Sequence, residues 1–131
     1  MTNQSVIKIN PVPKPRMVRS DAWKNRTCVT KYWSFKHDLV HKAELMGLQI
    51  GDVLSVRFVI PMPKSWSKKK KHRMLHKPHQ QRPDLDNLIK AIQDCLLQED
   101  SNVWYYRDVC KIWGTEGEII FYDIKKILTT K

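Results

Sequence analysis

Two carboxylates, Asp84 and Asp86, stand two positions apart, and an amine, Lys90, follows Asp86 by four. Side-by-side carboxylates repel, so nearby positive charge favours keeping both ionised. A divalent cation supplies that charge. Hard cations such as magnesium take oxygen ligands, often one or two carboxylates with phosphate oxygens and water. Lys90 would then stabilise charge developing on a phosphoryl group or orient a water. A plainer reading stays open: Asp84 as helix N-cap, Asp86 as a dipole-favouring acid, and Lys90 as an i,i+4 partner worth roughly 0.2–0.5 kcal/mol.

The element that must carry these groups is readable around them. Pro83 disfavours helical backbone at Arg82, so a helix begins at about Asp84. Leu85, Leu88, Ile89, Ile92 and Leu96 recur at helical spacing and form the buried face. Asp86, Lys90 and Asp94 line another face, which separates the chemistry from the core. A second helix is expected from about Thr30 to Met46, with Tyr32, Phe35, Leu39, Ala43 and Met46 on its inner side and Gly47 as its stop. His37 and His41 lie four apart on it, but no HExxH pattern accompanies them, and they read as surface residues rather than metal ligands.

Strands surround the helices. Val6 to Ile9 is a short one. Asp52 to Ile60 alternates, with Leu54, Val56, Phe58 and Ile60 on one face, and Pro61 and Pro63 end it. Val103 to Trp113 and Glu118 to Ile124 read as two more, joined across Gly114-Thr115-Glu116-Gly117 as a hairpin. The expected architecture is α+β, a small mixed sheet of four or five strands with the two main helices packed on one face. At 131 residues one domain is expected, spanning 1–131, with a frayed basic tail from about 125 to 131.

Charge narrows the partner. The 24 basic residues outnumber the 13 acidic ones, giving a net charge of +11. That excess favours a polyanion, with nucleic acid first and an anionic membrane surface second. From Lys64 to Gln81 there is no acid, while Lys64, Lys68, Lys69, Lys70, Lys71, Arg73, Lys77 and His79 crowd together and Arg82 follows. A loop of this charge repels itself and is expected to be flexible until an anion orders it. Trp66, inside the run, either stacks on a base or anchors the loop to the core. In the proline-alternating segment Asn10 to Arg16, Lys14 and Arg16 either follow a phosphate backbone, with Arg19, Lys24 and Arg26 downstream, or only solvate a stiff connection. Three widely spaced cysteines, Cys28, Cys95 and Cys110, indicate neither a disulfide framework nor a zinc site, and fit a reducing cytoplasm. No apolar run approaches a membrane span.

Pro83-Asp84-Leu85-Asp86-Asn87-Leu88-Ile89-Lys90, followed by Asp94 and by Glu99-Asp100-Ser101, resembles the RusA family of Holliday junction resolvases. The proline-rich segment with Lys14 and Arg16, the Pro63 to Lys70 run and the Lys77-Pro78-His79 element are similar to it as well, so the likeness extends from about Ile7 to Phe121. The resemblance implies that Asp84, Asp86 and Asp100 hold Mg2+ (or Mn2+) and that Lys90 is the catalytic lysine. It implies a homodimer that resolves four-way, branched DNA by paired symmetric nicks, in a bacterial or phage-infected cell. The family often carries Asp-Asp before the serine, where this chain has Glu99-Asp100, and the interval from Asp94 to Asp100 is short. Asp94 reads as a helix-face residue supporting Lys90. The alternative of a different class is a non-catalytic basic nucleic-acid-binding protein using the same loop and tryptophan.

Overall fold

The computed structural model describes residues 4–16, 18, 26–97, 100–122 and 125–126. Its centre is β3, Val53–Pro61, whose alternation matches the expected strand. Leu54, Val56 and Phe58 point to one side and are fully buried. Antiparallel pairing with β6, Glu118–Tyr122, sets Val56 opposite Phe121 and Phe58 opposite Ile119. On the far side of β6 lies β1, Gln4–Lys8, which sets Ile7 opposite Ile119. These side chains form one apolar row across three strands.

Two helices cover that row. Thr27–Met46 is α1, with Val29, Tyr32, Phe35, Leu39 and Ala43 buried. It stops at Gly47, whose φ of 64° puts it in the left-handed region that ends helices and suits glycine. Leu85–Leu96 is α3, with Leu88, Ile89, Ala91 and Ile92 buried among the same strand residues. Cys95 packs at the margin of this core, as its helical position implies. The α+β class and the placement of both main helices follow from this shared apolar layer.

The other edge of β3 differs from expectation. The region read as one strand is two: β4, Tyr105–Tyr106, and β5, Cys110–Gly114, both parallel to β3. Tyr105 pairs with Val53 but Cys110 pairs with Arg57, so the edge strand carries one more residue than β3 does there. The excess is taken up around Asp108, whose φ is 52°. β5 and β6 do not form the expected hairpin. They flank β3 on opposite sides, and residues 115–117 cross over its end. There the Met62 N–H donates to the Gly114 carbonyl at 3.0 Å. Gly117 is pressed on Asn10, where a Cβ would come within 2.6 Å of the Asn10 Cα. A tight turn between neighbouring strands and a crossover past a third strand leave similar glycine marks in sequence.

The tail also differs. Lys125–Lys126, β7, pairs antiparallel with Leu48–Gln49, β2, so its first residues are not frayed, while residues 127–131 lie outside the described set. Among the described residues no helix is long and apolar enough to cross a membrane.

Candidate functional site

The first turn of α3 carries the paired acids. Asp84 occupies the N-cap position with extended backbone (ψ 143°), yet its carboxylate accepts no capping bond. The expected cap is therefore not made, and Asp84 stays available. Asp86 lies in the first turn, and its Oδ2 is 4.0 Å from the Lys90 ammonium. Both side chains are mostly exposed, Asp86 at 70% and Lys90 at 63%, so the pair is loose and solvated and leaves both groups open to a ligand. Two outward carboxylates at the positive end of a helix, with an amine one turn on, are a fitting donor set for a hard divalent cation. Asp100 belongs to a 3-10 turn, Asp100–Asn102, after the other end of α3. Among the described residues no three His, Cys, Asp or Glu side chains group closely enough to hold a metal ion. Asp84 and Asp86 share the start of α3, the Asp100 side chain lies outside the described set, and Glu99 lies wholly outside it.

What sets the start of α3 was not visible in the motif. Lys111, on β5, reaches under the preceding turn and donates from Nζ to the Pro83 carbonyl at 2.6 Å and to the Gln81 carbonyl. On the other flank the Lys14 N–H donates to the Asn87 carbonyl at 3.1 Å. The helix start is held between a strand and the proline-rich segment.

Asp94 does not serve Lys90. It accepts from the Tyr32 hydroxyl and lies 3.2 Å from the Lys14 ammonium and 3.5 Å from that of Lys36. Burial alone would raise its pKa, but the Tyr32 hydroxyl and Lys14 outweigh that and hold it below the usual carboxylate range. The Tyr32 hydroxyl is in turn pushed well up, first by burial and then by Asp94. This cluster ties α1, α3 and the proline-rich segment together. Lys14, expected on DNA, is engaged here, while Arg16 is exposed and accepts at its carbonyl a bond from Arg26. Arg19 and Lys24 lie outside the described residues.

The basic stretch is built into the fold. Lys68–Met74 forms α2, with Ser67 Oγ as N-cap accepting from the Lys70 N–H at 3.1 Å. α2 buries no residue of its own, and its neighbours hold it. Trp66 packs on Trp113 at 4.7 Å between centroids, which favours anchoring over stacking on a base, and the Lys70 ammonium sits 4.2 Å over the Trp66 ring. Residues 76–79 run along β5: the His76 N–H donates to Trp113, the Trp113 N–H to Lys77, and the His79 N–H to Lys111. Backbone pairing thus orders the stretch without an anion. His79 was expected on the DNA-facing surface. Instead it is 4% exposed, 4.2 Å from the Trp113 ring, and its Nδ1 has no partner among the described residues. Burial first, then the nearby Lys111 charge, lowers its pKa. Lys64, Lys68, Lys69, Arg73, Lys77 and Arg82 are exposed, while Lys70 and Lys71 are half-buried.

No curated protein matches the chain. The family model described as endodeoxyribonuclease RusA matches residues 8–116, which include the proline-rich segment, both long helices, the basic stretch and the Asp84–Asp86–Lys90 set. The chain belongs to the RusA family of endodeoxyribonucleases.

Proposed function

We propose that the protein resolves Holliday junctions as a homodimer, by metal-dependent hydrolysis giving paired symmetric nicks, in the cytoplasm of a bacterial or phage-infected cell. The observation that carries this reading is the exposed Asp84–Asp86–Lys90 set at the start of α3, free of structural work and bordered by exposed cations. Asp84 and Asp86 would hold Mg2+ or Mn2+, which when bound supplies an activated water and charge neutralisation at the phosphate; Asp100, expected as a third ligand, follows the far end of a helix about 18 Å long and is left out of this pair's site. Lys90 lends its positive charge to a non-bridging phosphate oxygen as charge builds in the transition state. Arg82 and the α2 lysines grip the backbone on either side, without reading bases. Lys111 and Lys14 keep the helix start in position while DNA binds.

The test is cleavage of a synthetic four-way junction beside linear duplex of equal length, with magnesium, manganese or chelator. Symmetric nicks on the junction alone are expected, lost with chelator and in Asp86→Asn. Cutting of both substrates would remove the junction preference. Tight, salt-sensitive binding without cutting in either metal would replace the enzyme with a non-catalytic DNA binder.

A further inference from the structure

Two clefts meet at one side chain on α1. The smaller, about 540 Å³, is lined by Asp84 and Asn87 of α3, by Arg82, and by Lys31. The larger, about 1190 Å³, opens between α1 and the end of β3 and is lined by Lys31, His37 and Lys64. Lys31 is the residue common to both. The other α1 lysines are neutralised, Lys36 by Asp94 and Lys42 by Asp38 at 3.2 Å. Lys31 is exposed and makes no ion pair among the described residues. The carboxylates along the larger cleft are already matched, Asp38 by Lys42 and Glu116 by Lys8 at 3.3 Å. Apart from Asp84, the unmatched charge along the joined clefts is positive among the described residues and runs in order from Arg82 in the smaller, through Lys31 in both, to Lys64 in the larger.

We infer that this series is the track of the DNA strand that leaves the Asp84–Asp86 site, with Lys31 binding the phosphate next beyond the one that is cut. The inference rests on the nuclease reading above and adds a strand path over α1 to Lys64, three residues before the Ser67 cap of α2. A phosphate backbone suits the track because it needs an unpaired cation at each phosphate and open room for sugars and bases. An acidic peptide would meet the same charges but would have no reason to end at a pair of carboxylates.

The experiment is junction binding in chelator, where nothing is cut. Lys31→Ala should weaken binding about three- to tenfold and reduce the salt slope by about one. Lys31→Arg should restore both. Arg57→Ala removes an equal charge from the opposite face of the sheet and should change neither. Position is read with junctions carrying one neutral methylphosphonate at a time. A single position beside the cut should lose its penalty in Lys31→Ala and keep it in the wild type, the non-additivity of a direct contact. If Lys31→Ala binds like wild type, or all penalties simply add, the track is wrong while the nuclease stands. If the wild-type protein binds no junction, the nuclease reading falls first.

Discussion

At the residue scale, Asp84 and Asp94 meet opposite surroundings at the two ends of one helix. Both lie on α3 and both could serve stability or chemistry. Asp84 sits where caps sit but makes no capping bond, whereas Asp94 takes the hydroxyl of a fully buried tyrosine. Losing a working cap costs about 1 kcal/mol. Asp84→Ala should therefore leave the stability in urea unchanged, within about 0.5 kcal/mol, while abolishing cleavage. Asp94→Ala leaves the Tyr32 hydroxyl only the weak Cys95 Sγ contact at 3.9 Å and should cost about 2 kcal/mol, with the m-value unchanged. Because the folded pKa of Asp94 is depressed, its stabilisation is complete above about pH 4 and fades as pH falls through the lowered value, so the two proteins should converge in acid. A stability loss in Asp84→Ala equal to that of a lost cap, regained in Asp84→Asn, would restore capping as its purpose. Asp84, Asp86 and Lys90 were legible because they lie within seven consecutive residues and a helix alone sets their relation. Asp94 was not, since Tyr32, Lys14 and Lys36 reach it from distant parts of the chain.

At the element scale, the strip from Trp66 to His79 shows how a run of like charge can be ordered. α2 contributes no buried side chain, so its stability comes from Trp66 and His79 on Trp113 and from backbone bonds to β5. Composition showed the charge but not this pairing, because Lys77-Pro78-His79 lacks the alternation that marks a strand. The β5–β6 connection misled for a related reason: local turn residues do not say which strand lies between. By contrast α1, β3 and α3 were legible, since each carries its own apolar period. The strip also gives a pH signature. His79 is buried with a lowered pKa, so the unfolded chain takes up its proton first as pH falls below about 6.5. Stability should decline over that window and level off below the folded pKa. His79→Leu removes the proton and the unpartnered Nδ1 together, and its urea midpoint should lose that part of the acid slope. An unchanged slope between about pH 6.5 and 5 would assign it to other groups.

At the scale of the whole molecule, the proposed paired nicks need two sites where each chain carries one. On that proposal, one Asp84–Asp86 set opening one helix would give one chain the means for one nick. A four-way junction has two-fold symmetry, and a two-fold dimer would bring two sites to opposing strands and combine the +11 charge of each copy on one surface. Mixing chains separates this from monomers acting in turn. On a plasmid with an extruded cruciform, two cuts give a linear product and one gives a nicked circle. Wild type alone should give mostly linear product. With Asp86→Asn in excess, most wild-type chains would be paired with an inactive partner that still binds, and nicked circles should replace linear molecules. If monomers acted independently, the inactive chain would slow all cutting by competition, and a lightly cut plasmid would still go on to linear as the reaction proceeds. A linear fraction that survives the excess, at equal extent of cutting, rules out the paired mechanism and leaves a nuclease that works one strand at a time.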